Sequence, residues 1–532
     1  MIDYGNLNCY RRRSQPRSRL RDAALLRAAS RPFGRAASIT ALLSLVYSLS
    51  GCTVGPEYRT PAPPATDSYT PTALPEHTVS SPGSMGLAQQ FKAGGELPAQ
   101  WWTLYRCEPL DALIREALSN SPNIAAASAA LRQASENLRA QTGIDLYPAI
   151  DAKLNATREK LNGATLGQPS LNRILSLYNA SVNVSYNLDL FGAARHELEA
   201  LGAQVDFQSL QLQGTYLALS ANIVTAAVRE ASLREQIDAT ERIATDEETQ
   251  LGVLRKQLEF GGVGRVAVLS QETLLAQTRA TLPPLRQSLD RARHQLAVLA
   301  GKPPSDNSVP EFRLSMFTLP QTLPVALPSS LVRQRPDILA AEALLRQASA
   351  QVGVATANMY PQLTLSANYG PQSLTPAGML KYADMIWNIG AGLTQPIFNG
   401  GQLTAKRRAA EAAFDEANGQ YRQTILLAFE DVADSLRALD HDATALAAQT
   451  EAWRAASSSL ELTRGQFRAG GVSYLALLDA QRQYQQTIVN LTQARAARYA
   501  DTAALFEALG GGWWRDTARI LTGQADSDIN PQ

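Results

Sequence analysis

The chain has 532 residues, with 49 Lys and Arg against 48 Asp and Glu, and only three Cys. Residues 1–51 hold nine Arg and two Asp, so the remainder carries 40 basic and 46 acidic groups, a net of −6. This excludes a basic footprint for nucleic acid, and three Cys exclude a disulfide framework.

Arg27, Arg31 and Arg35 precede an apolar run from Ile39 to Leu49. The run is shorter than the roughly 20 residues a bilayer span needs, and it reads as the core of a secretory signal over 1–51. It ends in Leu49-Ser50-Gly51-Cys52, which resembles a bacterial lipobox. Cys52 is therefore the expected lipidation site, and the covalent lipid on Cys52 is the only cofactor expected. Each buried acyl methylene contributes about 0.8 kcal/mol to anchoring. Thr53 follows; in bacterial lipoproteins Asp at that place favours the inner membrane, so Thr favours the outer one. Residues 52–100, rich in Pro, Thr and Ala over Pro56–Pro75, are expected to form an extended tether. Cys107 is left without a partner and is expected to be an inert packing residue.

Trp101-Trp102 opens a first folded unit over 101–310. A helix over Asp111–Gln141 restarts at Pro122. Strict apolar alternation then predicts strands at about 149–158 (Ile150, Ala152, Leu154, Ala156) and 181–189 (Val182, Val184, Tyr186, Leu188). Leu190–Leu258 has no Pro and spells roughly 100 Å of helix. Gly261-Gly262-Val263 marks a hairpin tip at about 260–265, where the glycines permit positive φ and a tight reversal. Val268, Leu275, Leu282, Leu289 and Leu296 recur every seventh residue on the return helix, a left-handed coiled-coil seam. Pro283-Pro284 is expected to kink or break that helix.

A second unit, 311–515, repeats the first. Leu131-Arg-Gln-Ala-Ser135 returns as Leu345–Ser349, Tyr147-Pro148 as Tyr360-Pro361, and Gly261-Gly262-Val263 as Gly470-Gly471-Val472. Strands are predicted at about 362–370 and 388–396 and a tip at about 469–474. The heptad positions become Leu477, Tyr484, Leu491, Arg498 and Leu505, with Arg498 a lapse. A polar tail over 516–532 follows.

The four strands have one polar face and one apolar face, the pattern of an outer-membrane barrel with a wet lumen. Four strands cannot enclose a lumen, since small closed barrels need about eight. An open edge cannot sit in lipid, where backbone groups go unsatisfied. The barrel must therefore be shared between chains: two copies give eight strands and three give twelve, and the strands do not choose.

The order of Cys52-Thr-Val-Gly-Pro-Glu-Tyr58, Trp101-Trp102, Pro109-Leu-Asp-Ala-Leu-Ile114, Arg335-Pro-Asp-Ile338, Met359-Tyr-Pro-Gln-Leu363, Pro396-Ile-Phe-Asn-Gly-Gly401 and Ala508-Leu-Gly-Gly-Gly-Trp513 resembles the outer membrane factors of the TolC family. The likeness is strongest to the NodT-type efflux lipoproteins. The resemblance implies a mainly α fold with membrane β: a homotrimer with a 12-stranded β-barrel, four strands per chain, continued by a 12-helix periplasmic α-barrel. It implies an export duct in the outer membrane, working with a periplasmic adaptor and an inner-membrane RND-type pump. Gly261, Gly262, Val263, Gly470, Gly471 and Val472 would then be adaptor-docking tips. Asp479 would be a periplasmic gate residue, although the family's first acidic position is Ala476 here. A type I secretion duct and a periplasmic adaptor lipoprotein are the alternatives; an adaptor needs one hairpin, and this chain spells two. No enzyme chemistry or metal site is expected. His77, His196, His294 and His441 are scattered, and Gly261–Gly264 lacks the Gly-Lys-Ser/Thr ending of a phosphate loop.

Overall fold

The computed structural model describes residues 53–512 except 96 and 163–172. The signal over 1–51, the lipid site Cys52 and the tail over 516–532 lie outside the described residues. In chain order the elements are β1 (Gln90–Ala93), α1 (Glu108–Asn120), α2 (Pro122–Leu146), β2 (Ala149–Leu161), β3 (Arg173–Leu188), α3 (Ala193–Glu259) and α4 (Arg265–Leu299). They continue with β4 (Thr322–Val325), α5 (Pro336–Ala357), β5 (Gln362–Ser373), β6 (Met385–Thr394), α6 (Gln402–Arg468) and α7 (Tyr474–Ala508).

The repeat is metrically close. The outgoing helices α3 and α6 are 67 residues each, and the return helices α4 and α7 are 35 each. A glycine with positive φ sits at each matching junction: Gly192 and Gly401 before the long helices, Gly301 and Gly510 after the return helices. The missing Cβ makes that left-handed backbone cheap. At 1.5 Å per residue each outgoing helix runs about 100 Å. α4 is continuous through Pro283-Pro284, contrary to the expected kink or break. Both prolines lie on the exposed face, so the carbonyls they leave unbonded can turn to solvent. Pro284 also borders an open cavity of about 680 Å³ lined by α3, α4 and α7.

The four predicted strands form one antiparallel sheet of order β2-β3-β5-β6. All extend further into the far hairpins than the alternation suggests. The apolar pattern stops after about seven residues, or roughly 23 Å of strand, close to the apolar band of about 25 Å typical of such barrels. The ladder continues past it through Arg158, Glu159 and Lys160, because backbone pairing needs no apolar side chain. Register keeps the faces pure: Leu154 opposes Ala180, Val182 opposes Tyr369, and Tyr369 opposes Trp387.

Residues 53–95 are extended but not a free tether. β1 pairs in parallel with β4, a strand of the linker between the copies. Tyr58 donates to Glu342, and Tyr69 donates to the Ala326 carbonyl. The buried side chain of Gln89 donates to the Pro320 carbonyl and to Thr502. Sequence composition marks this stretch as lacking its own core; it borrows one from the helices.

The main core joins α1, the linker and the middle of α3 to the end of α7, around Trp101, Tyr105, Phe312, Tyr499 and Phe506. Cys107 is buried at its edge, and burial raises its thiol pKa. Glu230 is fully buried there; it accepts from Arg234, Arg293 and the Phe312 backbone. Arg335 of the Arg-Pro-Asp-Ile stretch donates to the Ala508 carbonyl and pairs with Asp337 and Asp431. It thereby ties the start of α5 to the end of α7.

Arg498 is not a lapse in the α7 seam. It is 1% exposed and reaches the N-terminal segment, donating to the carbonyls of Met85 and Leu87 and to Gln89 Oε1 at 2.9–3.2 Å.

Candidate functional site

The candidate functional surfaces are the sheet and the hairpin tips, at opposite ends of the long helices. On the sheet, the side chains facing away from the apolar face are Asp151, Lys153 and Asn155 on β2 and Ser, Asn, Thr and Gly on its neighbours. They bond across strands, Thr364 to Asn187 at 2.8 Å and Asn368 to Asn183 at 2.5 Å. The other face is apolar and bare, with Leu154 80% and Ile389 79% exposed. Such a face is stable only against lipid or another apolar layer, since bare apolar area costs about 25 cal/mol per Å² in water. β2 and β6, the outer strands, find no further strand among the described residues.

At the tips, each long helix ends in the same motif. Gly261 N–H bonds to the Leu258 carbonyl and Gly262 N–H to the Gln257 carbonyl; Gly470 and Gly471 repeat this with Phe467 and Gln466. These are Schellman caps. Of the two glycines that permit it, only the first of each pair takes positive φ, 74° in both copies. A Cβ on Gly262 would meet the Gln257 carbonyl at 3.4 Å and the Gln257 Cβ at 3.8 Å, and one on Gly471 only the Gln466 carbonyl at 3.6 Å. The second glycines are thus not required by the turn. Val263 and Val472 are half-buried, and Phe260 is 88% exposed beside the first pair.

Both hairpins close on one distal core containing Leu251 and Leu254 of α3, Leu274 and Leu275 of α4, Leu460 of α6, and Leu477 and Leu478 of α7. Polar links cross it. The Tyr474 hydroxyl of α7 bonds to Gln271 of α4, which donates to the Glu247 backbone carbonyl of α3. Arg464 of α6 pairs with Asp246 of α3 at 3.2 Å. Asp479 lies exposed, a turn and a half into α7, and accepts from Gln483 at 2.8 Å. Its counterpart in the first copy is Ser270, so this position of the return helices is acidic once per chain. No sequence signal marked the Tyr474–Gln271 link, because its two halves are not equivalent positions of the repeat.

Glu247 was also missed. It sits at an inward position of α3, 2% exposed, with no hydrogen-bond partner for either carboxylate oxygen among the described residues. Burial pushes its pKa up to about 7, and the neighbouring Asp246 adds to this; the Thr278 hydroxyl opposes it from beyond bonding geometry. A raised carboxyl pKa makes the distal core most stable at low pH, and that stability is lost as pH rises from about 4.5 through 7. Glu247→Gln should therefore flatten the pH dependence of thermal unfolding between pH 5.5 and 8, with the gain over wild type at pH 8. Parallel pH curves for the two proteins would rule this out.

The model of the outer membrane efflux protein family matches residues 113–302 and 327–511, one segment in each copy. The pyoverdine export outer membrane protein OpmQ of Pseudomonas aeruginosa is 32% identical over 456 residues, covering 82% of this chain and 94% of the relative. The probable outer membrane lipoprotein SilC of Salmonella typhimurium is 27% identical over 479 residues, covering 88% and 98%. The structure of the outer-membrane channel OprN superimposes with a TM-score of 0.78 at 26% identity, covering 87% of this chain and all of that one. With both copies matched, and the sheet and hairpins superimposed on a channel of known structure, this chain belongs to the outer membrane efflux protein family.

Proposed function

We propose that three copies of the chain form one export duct: a 12-stranded barrel in the outer membrane continued by a 12-helix periplasmic barrel. The observation that carries this reading is the bare apolar sheet with an open edge at each end. β2 and β6 run in opposite directions, so a copy rotated about a common axis presents its β2 antiparallel to β6. Closing the ring satisfies every edge group, as lipid requires.

The lipid on Cys52 fits the same geometry. Val54 N–H bonds to the Phe191 carbonyl at 3.1 Å, and Thr53 packs on Gly192. The residue after Cys52 therefore lies at the junction of sheet and helix, where a lipid would enter the periplasmic leaflet. The tips at Gly261-Gly262-Val263 and Gly470-Gly471-Val472 are the docking points for a periplasmic adaptor, which joins the duct to an RND-type pump in the inner membrane. Three exposed Asp479 side chains near the axis would repel one another and draw cations to the mouth.

Purified outer membranes should yield a heat-modifiable trimer that conducts in planar bilayers. Cys52→Ser should lose the acyl label, and Asp479→Ala should lower the preference for cations. A soluble, closed monomer overturns the duct; unchanged ion selectivity in Asp479→Ala removes the gate alone.

A further inference from the structure

The internal repeat specifies which residues meet between neighbouring copies. Within one chain, the first copy's long helix α3 packs against α5 of the second copy, and β3 pairs with β5. The equivalent elements that would continue this pattern, α6 with α2 and β6 with β2, do not pair within the chain. A head-to-tail ring is built by repeating one heterologous contact until it closes. In a chain made of two equivalent units, the contact between chains has a template in the contact within a chain.

Two within-chain pairs have counterparts that are identical in residue type and unpartnered. Arg346 of α5 forms an ion pair with Asp206 of α3 at 2.8 Å. Pro122 and Pro336 open α2 and α5, and counting from them places Arg132 at the position of Arg346. Counting from Gly192 and Gly401 places Asp415 at the position of Asp206. Arg132 and Asp415 are both exposed, with no ion-pair partner among the described residues. At the foot of the sheet, Phe191 stacks on Tyr360 with centroids 4.9 Å apart. The residue matching Tyr360 is Tyr147, 66% exposed, and the phenylalanine of the second segment is Phe398, 91% exposed, which stands three residues before Gly401 where Phe191 stands one before Gly192.

The small residues around the ion pair tell the same story. Ala200 and Ala203 of α3 are buried, whereas Ala409 and Ala412, at the same steps of α6, are exposed. Ala340 and Ala343 of α5 are buried, whereas Ala126 and Ala129 of α2 are exposed. At these four positions the helices of the unmade contact keep the alanines of the made one and lack their cover.

We infer that neighbouring copies meet through a replica of the internal seam, in which Asp415 of one copy pairs with Arg132 of the next and Phe398 stacks on Tyr147. This rests on the ring assembly proposed above. The ion pair is solvent-accessible and adds little energy; its value is to set the register of α6 on α2.

Arg132→Cys and Asp415→Cys chains carrying different tags, co-expressed in outer membranes and treated with a short bis-maleimide, should give a covalent heterodimer. Either variant expressed alone should give none. Asp415→Arg should lower the temperature at which the trimer dissociates, and Arg132→Asp with Asp415→Arg should restore it. Intact trimers that neither cross-link nor respond to the charge reversal overturn the seam but leave the ring standing. A wild-type chain that is monomeric in the membrane overturns both.

Discussion

Gly262→Glu and Gly471→Glu are each expected to abolish export while the protein still reaches the membrane and forms trimers. The reason lies in the difference between the two glycines of each tip. Gly261 and Gly470 hold positive φ, so any side chain there strains the turn itself. Gly262 and Gly471 do not hold positive φ, and a Cβ on either meets nothing closer than 3.4 Å. A glutamate at 262 or 471 leaves the Schellman cap intact and projects from an exposed surface. Its cost falls on whatever must pack there. Burying an unpaired carboxylate against a docking helix costs about 3–5 kcal/mol, a loss of about a hundredfold or more in affinity. Gly262→Ala and Gly471→Ala serve as controls and should export far better than the glutamates. Transport assays in cells, with trimer content measured in parallel, decide the matter; normal export by the glutamate variants would mean that no partner closes on the tips.

The second large effect is expected at Arg498. Replacing it with Ala should destabilise the junction of helices and N-terminal segment by about 3–5 kcal/mol, the cost of leaving buried polar groups and a buried charge without their partner. The Met85 and Leu87 carbonyls and Gln89 Oε1 lose their donor. Asp442, whose carboxyl pKa is raised by burial and by Asp501 beside it, loses the cation that opposes that shift. The segment around β1 should then detach from β4 and become a substrate for limited proteolysis, while the distal hairpins keep their fold. Cleavage within 76–95 that is no faster in Arg498→Ala than in wild type would show that the clamp does not depend on this arginine. The position illustrates how a heptad reading fails: the seam asks for an apolar residue, and the fold supplies a polar surface from a segment more than 400 residues away.

The tips and the sheet were legible because they depend on local chemistry. Alternation at Ile150–Ala156 and Val182–Leu188 reports two unlike faces, absence of Pro over Leu190–Leu258 permits an uninterrupted helix, and Gly-Gly pairs at a fixed offset report the turns. The Pro283-Pro284 misreading came from treating helix interruption as local, when continuity depended on which face the prolines occupy. Glu247 gives no local signal at all, since a glutamate on a helix is ordinary until a neighbouring helix covers it.

By itself the amino-acid order determined the repeat, the helix and strand types, the faces of the sheet and the positions of both turns, because each follows from backbone propensity and side-chain period over a few residues. Only the tertiary structure decided that residues 53–95 are clamped, that Arg498 and Glu247 are buried, that Tyr474 meets Gln271, and that Arg346–Asp206 is a made contact while Arg132 and Asp415 stand open. Those outcomes depend on which distant surfaces exclude water from a given group, a property of the packed molecule that no stretch of sequence carries alone.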